Sequence, residues 1–309
     1  MKHDIIIIVG PTAVGKTRLS IELAKVFNGE IINGDAFQVY RGMDIGTAKI
    51  TPEEMGGIPH HLLDFVDPGD TYTVSDFQRD ARRQIQAIHK KGRLPILVGG
   101  TGLYINAVLY KNYIFSDESQ NPSVRQALEQ FAIKYGNEAL YHRLLEVNPQ
   151  ASTGIHPNNV KRVIRAIEKA QNLSLESKTE QVKELLYQPV VIGLCMNREA
   201  LYERINRRVD LMMERGLMDE VRYLVERHLQ NSQAAQAIGY KEVFPVFLGQ
   251  YDQKEAACLI KRNSRRFAKR QMTWFKHQMA VHWFQIDQMT DIFEKKMTKI
   301  MEFVAGKIN

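Results

Sequence analysis

Eight residues near the start of the chain have the types and the spacing of a phosphate-binding loop. Residues 10–17 match the pattern GxxxxGK(S/T), in which backbone N–H groups turn toward phosphate oxygens. The lysine of this pattern reaches the outer phosphates, and the final hydroxyl can hold Mg²⁺. The loop predicts a polyphosphate site, although nucleoside triphosphates and prenyl diphosphates offer it the same oxygens. Its residues are Gly10, Pro11, Thr12, Ala13, Val14, Gly15, Lys16 and Thr17.

A carboxylate lies close to a second apolar run, but not where a nucleotide hydrolase would have one. Such an enzyme usually ends a second core strand in an Asp that holds the Mg²⁺ shell. Here the best candidate strand, residues 94–98, is followed by Gly99 and Gly100. The acid nearest a strand end is Asp35, which follows residues 30–32. Its position allows three roles: a Mg²⁺ ligand, a general base, or a loop residue that caps a turn.

The elements that must position these residues alternate along the chain. Apolar, mostly β-branched runs at residues 5–9, 30–32, 94–98 and 190–194 predict strands, and the first has the pattern of a strand buried on both faces. Apolar residues recur with helical spacing between them, as at residues 77–88, where Ser75 and Gln78 have the spacing of a capping box. We therefore expect an α/β fold with a parallel sheet flanked by helices, as in P-loop NTPases.

The middle of the chain has a different pattern. Between residues 121 and 188 the β-branched runs disappear, and three or four short amphipathic patterns follow one another. After Asn197 the pattern is helical almost to the end. We expect a catalytic core with C-terminal helices, residues 1–115 and 189–309, and an all-helical insertion domain, residues 116–188.

Composition excludes several classes of protein. With 309 residues, 44% of them hydrophobic, the chain is long enough to bury a core and is not disordered. Cys195 and Cys258 form neither a CxxC motif nor a Cys/His cluster, which excludes a disulfide framework or a zinc module and indicates a reducing compartment. No apolar run approaches ~18 residues, so we expect no membrane association and a cytoplasmic location.

The net charge of +7 can be assigned to one segment. Residues 261–276 contain seven basic residues and no Asp or Glu, and without them basic and acidic residues are equal at 35 each. On a helix the seven fall within one half, opposite Ile260, Phe267 and Trp274. Such a face fits a polyphosphate backbone. The seven are Lys261, Arg262, Arg265, Arg266, Lys269, Arg270 and Lys276.

Residues 35–49 resemble a known signature. They read DAFQVYRGMDIGTAK, which is similar to the DSxQxYxGxDIGTAK motif of bacterial-type tRNA dimethylallyltransferases, also called isopentenyl-tRNA transferases. Residues 59–64, 98–104, 156–168 and 237–242 look like further landmarks of this family, in the family's order, and together they span nearly the whole chain. Ala36 departs from the pattern because the family usually has Ser there, so the contact of that hydroxyl is absent or replaced.

The resemblance implies a reaction and the residues that perform it. The dimethylallyl group of dimethylallyl diphosphate is transferred to N6 of the adenosine on the 3′ side of the anticodon, and diphosphate is released. The implied catalytic residues are Asp35 as general base, Thr101 at the target nucleotide, and Lys16. The phosphate loop holds the diphosphate, helped by Arg208 and then Arg204, with Mg²⁺ on Thr17 as the cofactor.

The resemblance also implies how tRNA is bound. The target base is flipped out, and residues 35–38 read its Watson–Crick edge. The expected partners are the anticodon stem-loop of tRNA and dimethylallyl diphosphate, with no protein partner implied. The expected tRNA contacts are Asp35, Ala36, Phe37, Gln38, Thr101, Arg125, Lys161, Arg162, Val163, Ile164, Arg165, Gln236, Ala237, Ile238, Gly239, Tyr240, Lys241, Arg265, Lys269 and Arg270.

Three other functions share part of this pattern. A P-loop nucleotide kinase would have the loop and Mg²⁺, but also a carboxylate where Gly99 and Gly100 stand. Prenyl transfer to a free adenine nucleotide would not need the basic face or the helical insertion. A non-enzymatic RNA-binding P-loop protein would have no use for Asp35 beside the loop.

Overall fold

One parallel sheet of six strands organises the part of the chain that carries the phosphate loop. The computed structural model describes residues 4–111, 113, 122–172, 184–286 and 290–308. The sheet has the order β3-β2-β4-β1-β5-β6, so the first strand of the chain lies near its centre. The expected α/β fold with a parallel sheet is confirmed. The strands are β1 (Asp4–Val9), β2 (Gly29–Asn33), β3 (His60–His61), β4 (Leu94–Val98), β5 (Gln188–Cys195) and β6 (His282–Gln285).

Helices connect the strands and also form a second unit. The chain divides into a sheet unit, Met1–Tyr113 with Glu184–Asn309, and a helical unit, Ile114–Lys183. Helices α5 to α7 belong to the helical unit. The helices are α1 (Lys16–Val26), α2 (Pro52–Met55), α3 (Val74–Lys90), α4 (Gly102–Leu109), α5 (Pro122–Tyr135), α6 (Asn137–Val147), α7 (Val160–Asn172), α8 (Arg198–Glu214), α9 (Leu217–Glu226), α10 (Phe244–Phe247), α11 (Gln253–Gln278) and α12 (Thr290–Ile308).

The central strand is apolar throughout because both of its faces are buried. Side chains alternate between the two faces of a strand, so Ile5 and Ile7 pack in one cluster with α3 and α4. Ile6 and Ile8 pack on the opposite face with α1 and α12. Hydrogen bonding to β4 and β5 on either side satisfies the backbone of β1. These contacts hold the end of β1, and with it the phosphate loop, in a fixed place.

Two local predictions were wrong. β6 was expected to be helical; it is a four-residue edge strand that pairs with β5, and its short half-buried sequence has no clear strand pattern. The capping box of α3 begins at Thr73 and not at Ser75: Thr73 Oγ1 accepts a hydrogen bond from Asp76 N at 3.1 Å, and the Asp76 carboxylate accepts one from Thr73 N at 3.0 Å. Asp completes the box as well as Gln because it is also a carbonyl-type acceptor.

The helical unit has a core of its own. Leu128 of α5, Leu140 and Leu144 of α6, and Val163 and Ile167 of α7 pack together. Three basic residues of α7, Lys161, Arg162 and Lys169, are exposed. Within the described ranges, no helix of either unit is long and apolar enough to cross a membrane.

The core of the helical unit can be tested on α7. Val163 is fully buried, so Val163→Ala removes two methyl groups from a packed interior and is expected to lower the free energy of unfolding by about 2 kcal/mol. Hydrogen exchange of the α7 amides measures this change. Lys161→Ala, an exposed neighbour on the same helix, is the control and is expected to change it by less than about 0.5 kcal/mol. Equal protection in the two variants would contradict the packing described here.

Candidate active site

Three chain segments meet where β1, β2 and β4 end. The strands are adjacent and parallel, so the segments that follow them share one edge of the sheet, where ligands of open α/β sheets bind. Two adjoining cavities of about 330 Å³ each lie there. The loop cavity is lined by the phosphate loop, and the apolar cavity mainly by side chains of α8 and α11 with Ala36, Phe37 and Ile238. Both are lined by Thr12, Asp35, Thr47, Arg208 and Phe267.

The phosphate loop is shaped for an anion. Gly15, just before α1, has φ +104°, a left-handed conformation that glycine adopts without strain, and it turns the loop into the helix. The N-terminus of α1 therefore opens on the loop cavity, where its free N–H groups favour negative charge. Lys16 Nζ donates hydrogen bonds to the carbonyl oxygens of Gly10, at 3.0 Å, and Pro11, at 2.8 Å. The ammonium is thus held beside the cavity by neutral acceptors.

Positive charge dominates the loop cavity. Lys16, Arg204 and Arg208 line it, and Asp35 is the one carboxylate among the described residues that do so. Burial lowers the pKa of Lys16 to about 8, an effect that Asp35 opposes and Arg208 reinforces. Burial likewise lowers the pKa of Arg208. An anion bound here would offset the cost of burying these cations.

Arg208 connects the phosphate loop with the segment of the family signature. Its guanidinium donates hydrogen bonds to Thr12 Oγ1 at 3.3 Å and to the carbonyl oxygen of Thr47 at 3.4 Å. Gln38 donates to the same carbonyl of Thr47, at 3.1 Å, and to that of Ala48, at 3.3 Å. The amide nitrogen of Gln38 is therefore used within the protein, and its oxygen is the atom left to meet a base.

Asp35 caps a turn and also faces both cavities. Its Oδ1 accepts a hydrogen bond from Phe37 N at 2.9 Å, and its own N–H donates to Asn33 Oδ1 at 3.1 Å. The turn-capping role considered from the sequence is therefore present. Only Oδ1 takes part in it, and within the described part of the chain no hydrogen bond occupies Oδ2. One oxygen fixes the carboxylate, and the other is free for chemistry.

The hydroxyl of Thr101 has no hydrogen-bond partner among the residues that the structure describes. Thr101 is the N-cap residue of α4, yet its side chain makes no capping hydrogen bond. The residue lines the apolar cavity. A threonine that merely capped the helix would direct its hydroxyl at the backbone, so this one is available for a ligand.

A carboxylate that the sequence did not reveal organises the signature loop. Glu220 of α9 accepts hydrogen bonds from the backbone N–H groups of Asp44 and Ile45, each at 2.8 Å, and of Gly46, at 2.9 Å. It also accepts one from the hydroxyl of Tyr240. The three N–H donors lie 174 to 176 residues from Glu220 along the chain, and no local motif signals such a contact. Glu220 thereby sets the course of the loop that ends at Thr47.

The expected tRNA segment at residues 236–241 divides into two groups. Gln236, Ala237, Ile238 and Lys241 line the apolar cavity. Gly239 is buried, and Tyr240 is completely buried with its hydroxyl on Glu220, so the expected tRNA contact of the Tyr240 side chain needs correction. Tyr240 supports the signature loop instead.

The basic face of α11 is less uniform than its sequence suggested. Lys261 pairs with Asp210 at 2.5 Å, and Arg265 donates a hydrogen bond to Asn206 Oδ1 at 2.6 Å. The other five basic residues are exposed, among them Lys269 and Arg270, and Arg270 also lines the apolar cavity. Five residues, rather than seven, therefore present free charge.

The apolar side of α11 also differs from the prediction. Of Ile260, Phe267 and Trp274, only Ile260 is fully buried, and Phe267 lines both cavities. Gln271 is buried instead and was not expected to take part in the site. Its Oε1 accepts a hydrogen bond from Thr12 N at 2.9 Å, and its Nε2 donates one to Gly100 O at 3.1 Å.

The remaining expected tRNA residues belong to the helical unit. Lys161 and Arg162 are exposed and Arg165 is half-buried. Val163 and Ile164 need correction, because their side chains are in the core of the unit and cannot reach RNA. Arg125 is paired with the buried Glu168, Nε to Oε1 at 3.2 Å, which gives it a structural role.

Comparison with known proteins identifies the family. The family model described as IPP transferase matches residues 38–278, which include most of the signature loop, most of the lining of the apolar cavity and all of α11. The chain belongs to this family. The tRNA dimethylallyltransferases of Bacillus subtilis, strain 168, and Halalkalibacterium halodurans are 49% and 50% identical to it, over 99% and 100% of this chain and 98% of each relative. The family expected from the sequence is confirmed.

Solved structures agree with the family over the whole chain. The full-length tRNA isopentenylpyrophosphate transferase of Bacillus halodurans has a TM-score of 0.75 and 49% identity, covering 99% of this chain and 97% of that one. A eukaryotic dimethylallyltransferase acting on tRNA has a TM-score of 0.78 and 28% identity, covering 98% and 80%. The fold of this IPP transferase is thus shared with a distant relative.

The lowered pKa of Lys16 predicts a pH-dependent anion site. Below pH 8 the ammonium of Lys16 is charged, and above pH 8 the free protein loses this charge. We therefore expect Lys16 to contribute less to the affinity for inorganic pyrophosphate above pH 8 than below it. Isothermal titration calorimetry on the wild type and Lys16→Met measures the effect. The ratio of the pyrophosphate affinity of the wild type to that of Lys16→Met is expected to fall by up to about tenfold per pH unit above 8. In that range the wild type is expected to take up a proton when it binds pyrophosphate. The same advantage at pH 7 and pH 9.5 would rule out this role for the lowered pKa.

Proposed function

We propose that this protein transfers the dimethylallyl group of dimethylallyl diphosphate to N6 of the adenosine on the 3′ side of the anticodon in tRNA. The observation that carries the proposal is the junction of the two cavities. There Asp35 and Arg208 lie between a cationic phosphate-loop cavity and an apolar cavity. Such a junction brings the leaving group of one substrate to the acceptor of the other.

The loop cavity suits the diphosphate leaving group. When the allylic C–O bond breaks, negative charge collects on the diphosphate, and fixed positive charge stabilises it. Lys16, Arg208 and the N-terminus of α1 supply that charge, with Arg204 at the cavity wall. Their partners in the free protein are neutral carbonyl and hydroxyl oxygens, which an anion can replace.

A Mg²⁺ ion fits this donor set as a companion of the diphosphate. Mg²⁺ in phosphate-transfer sites is held by one or two protein oxygens together with phosphate oxygens and water. Thr17, at the first turn of α1, lines the loop cavity and would supply its hydroxyl. Among the described residues no group of three or more His, Cys, Asp or Glu forms a metal cage, so the diphosphate itself would provide further ligands. The ion would neutralise charge on the leaving group.

Asp35 is the group best placed to accept the proton from adenine. The exocyclic amine is a weak nucleophile because its lone pair is delocalised into the ring, so a base must take its proton as the new C–N bond forms. Oδ1 of Asp35 is fixed by Phe37 N, which leaves Oδ2 to accept. Gln38 Oε1 and the hydroxyl of Thr101 would hold the flipped base beside it.

Exposed basic residues would bind the tRNA backbone. Those of α11 lie on the helix that also lines both cavities, and Lys161 and Arg162 are exposed on the helical unit. We assign tRNA binding to both surfaces, with residues 116–188 as the insertion domain that grips the anticodon stem. A tRNA substrate also supports the cytoplasmic location expected from the sequence.

The main alternative, a nucleotide kinase, has less support. It needs a carboxylate at the end of β4, where Gly99 and Gly100 stand instead and Gln271 fills the space beside Gly100: an added Cβ would be 2.0 Å from Nε2. Transfer to free adenine nucleotide is the second alternative. It is disfavoured by the exposed basic residues of α11, which a mononucleotide would not use.

A direct assay separates the proposal from both alternatives. The protein is incubated with Mg²⁺, dimethylallyl diphosphate and either unmodified tRNA with adenosine 3′ of the anticodon or AMP, and nucleosides are analysed by mass spectrometry. We expect a dimethylallyl group on that adenosine of tRNA and little on AMP. Equal transfer to AMP, or phosphate transfer from ATP, would refute the proposal.

The base is tested by Asp35→Asn. The amide retains an acceptor for Phe37 N, so the turn is kept, but it cannot take a proton. We expect kcat to fall by about 10²- to 10⁴-fold, with KM for tRNA changed by less than about twofold. Single-turnover kinetics and tRNA binding are measured together. A loss confined to tRNA affinity would exclude Asp35 as the base.

The basic face of α11 is tested by salt dependence. Arg266→Gln with Lys269→Gln removes two exposed charges, and the slope of log affinity for tRNA against log salt is expected to become shallower by about 0.7–0.9 for each lost phosphate contact. Lys261→Gln is the matched control because Asp210 already pairs with Lys261. An unchanged slope in the double variant would mean that the face is only solvated.

A further inference from the structure

Gln271 bridges two loops of the site that follow the neighbouring strands β1 and β4. It lies in the middle of α11, with 5% of its surface exposed. Its amide oxygen accepts from Thr12 N in the phosphate loop, and its amide nitrogen donates to Gly100 O in the turn that precedes Thr101. The amide thus uses its acceptor on one loop and a donor on the other.

We propose that Gln271 is a positioning residue that sets the spacing between leaving group and acceptor. The phosphate loop would carry the diphosphate, and the turn at residues 99–101 presents Thr101 to the target base. Pairing of β1 with β4 holds the bases of the two loops side by side, with Gly99 N donating to Ile8 O at 3.1 Å. The amide of Gln271 sets the spacing of the residues beyond that point, Thr12 and Gly100. This inference rests on the proposed function.

The surrounding contacts show that α11 packs closely on this turn. Gly100 has no side chain, and a Cβ on it would lie 2.0 Å from Gln271 Nε2, so Gln271 occupies the space beside it. One turn further along α11, Trp274 covers Gly102 so closely that a Cβ there would be 2.1 Å from its ring. α11 therefore rests on the turn before and after Thr101.

Thr12 is held from two sides. Gln271 accepts from its backbone N–H, and Arg208 donates to its hydroxyl at 3.3 Å. Thr12 also lines both cavities. A change at Gln271 is therefore transmitted to the residue of the phosphate loop that borders the junction, and a displacement of 1 Å at a reacting centre costs about 100-fold in rate.

The chemistry of the side chain is specific as well. The site needs one acceptor and one donor at the two ends of a rigid group, which a glutamine amide provides. Met has a similar length and volume but offers neither hydrogen bond of this strength. Gln271→Met therefore removes the link while filling the same space.

The test compares Gln271→Met with Gln278→Met, an exposed position at the end of the same helix. Transfer of dimethylallyl to tRNA is measured under steady-state and single-turnover conditions, and inorganic pyrophosphate binding by calorimetry. For Gln271→Met we expect kcat to fall by about 10- to 100-fold, KM for tRNA to stay within about twofold, and pyrophosphate affinity to fall several-fold. Gln278→Met is expected to behave as the wild type.

A double-mutant cycle with Gly100→Ala separates positioning from general loss of stability. In the wild-type background the added methyl group displaces Gln271, and kcat is expected to fall by about tenfold or more. In a Gln271→Ala background the space is vacant, so the same change is expected to cost less than about twofold. Equal losses in both backgrounds would overturn the proposal, as would an unchanged kcat in Gln271→Met.

Failure of the proposed function is distinguishable from failure of this inference. If the wild type transfers no dimethylallyl group to tRNA, the proposed function fails, and pyrophosphate binding alone decides the role of Gln271. A several-fold weaker affinity in Gln271→Met than in Gln278→Met would then support it, and equal affinities would overturn it.

Discussion

The site depends on two half-buried cations, Lys16 and Arg208, that are already in place in the free protein. Burial lowers the pKa of Lys16 to about 8, and the nearby Asp35 opposes that effect. The carbonyl oxygens of Gly10 and Pro11 accept hydrogen bonds from its ammonium. Arg208 is held in the same way by Thr12 and Thr47. Desolvated charges attract an anion more strongly than hydrated ones, but they persist only where neighbouring acceptors are held firmly.

Much of the nearby structure serves to hold those acceptors. Glu220 fixes three successive N–H groups of the signature loop, so the carbonyl of Thr47 stays within reach of Arg208. Gln271 fixes the backbone of Thr12, whose hydroxyl accepts from the same arginine. Neither residue needs to touch a substrate. Both stabilise a spacing of dipoles around buried charge, and electrostatic stabilisation of this kind works best when the dipoles are already oriented.

The parts of this site that the sequence predicted are local in the chain. The phosphate loop is a run of eight residues, and Asp35 follows an apolar run, so pattern alone indicated both. β-branched runs likewise predicted the central strands, because a strand buried on both faces has no polar positions. The family motifs then supplied the reaction, which no spacing of residues could have done.

The parts that could not be predicted depend on contacts between distant segments. Gln271 and Gly100 are 171 residues apart, and a glutamine within a basic helix is typical of a solvated face. β6 is a strand only because β5 offers it an edge. Tyr240 and Val163 lie within motifs that resemble tRNA contacts, yet both are buried, because a motif records which residues a family needs and not whether they bind or support.

The basic residues form two kinds of anion site, which differ in how far their cations are exposed to solvent. The exposed charges of α11 and α7 are hydrated, so they act through release of counterions and weaken with salt. Lys16 and Arg208 are half-buried, so salt screens them less than the exposed charges. A compact diphosphate and an extended RNA backbone carry the same phosphate chemistry, and the protein distinguishes them by how much water it has removed from the cations that face each one.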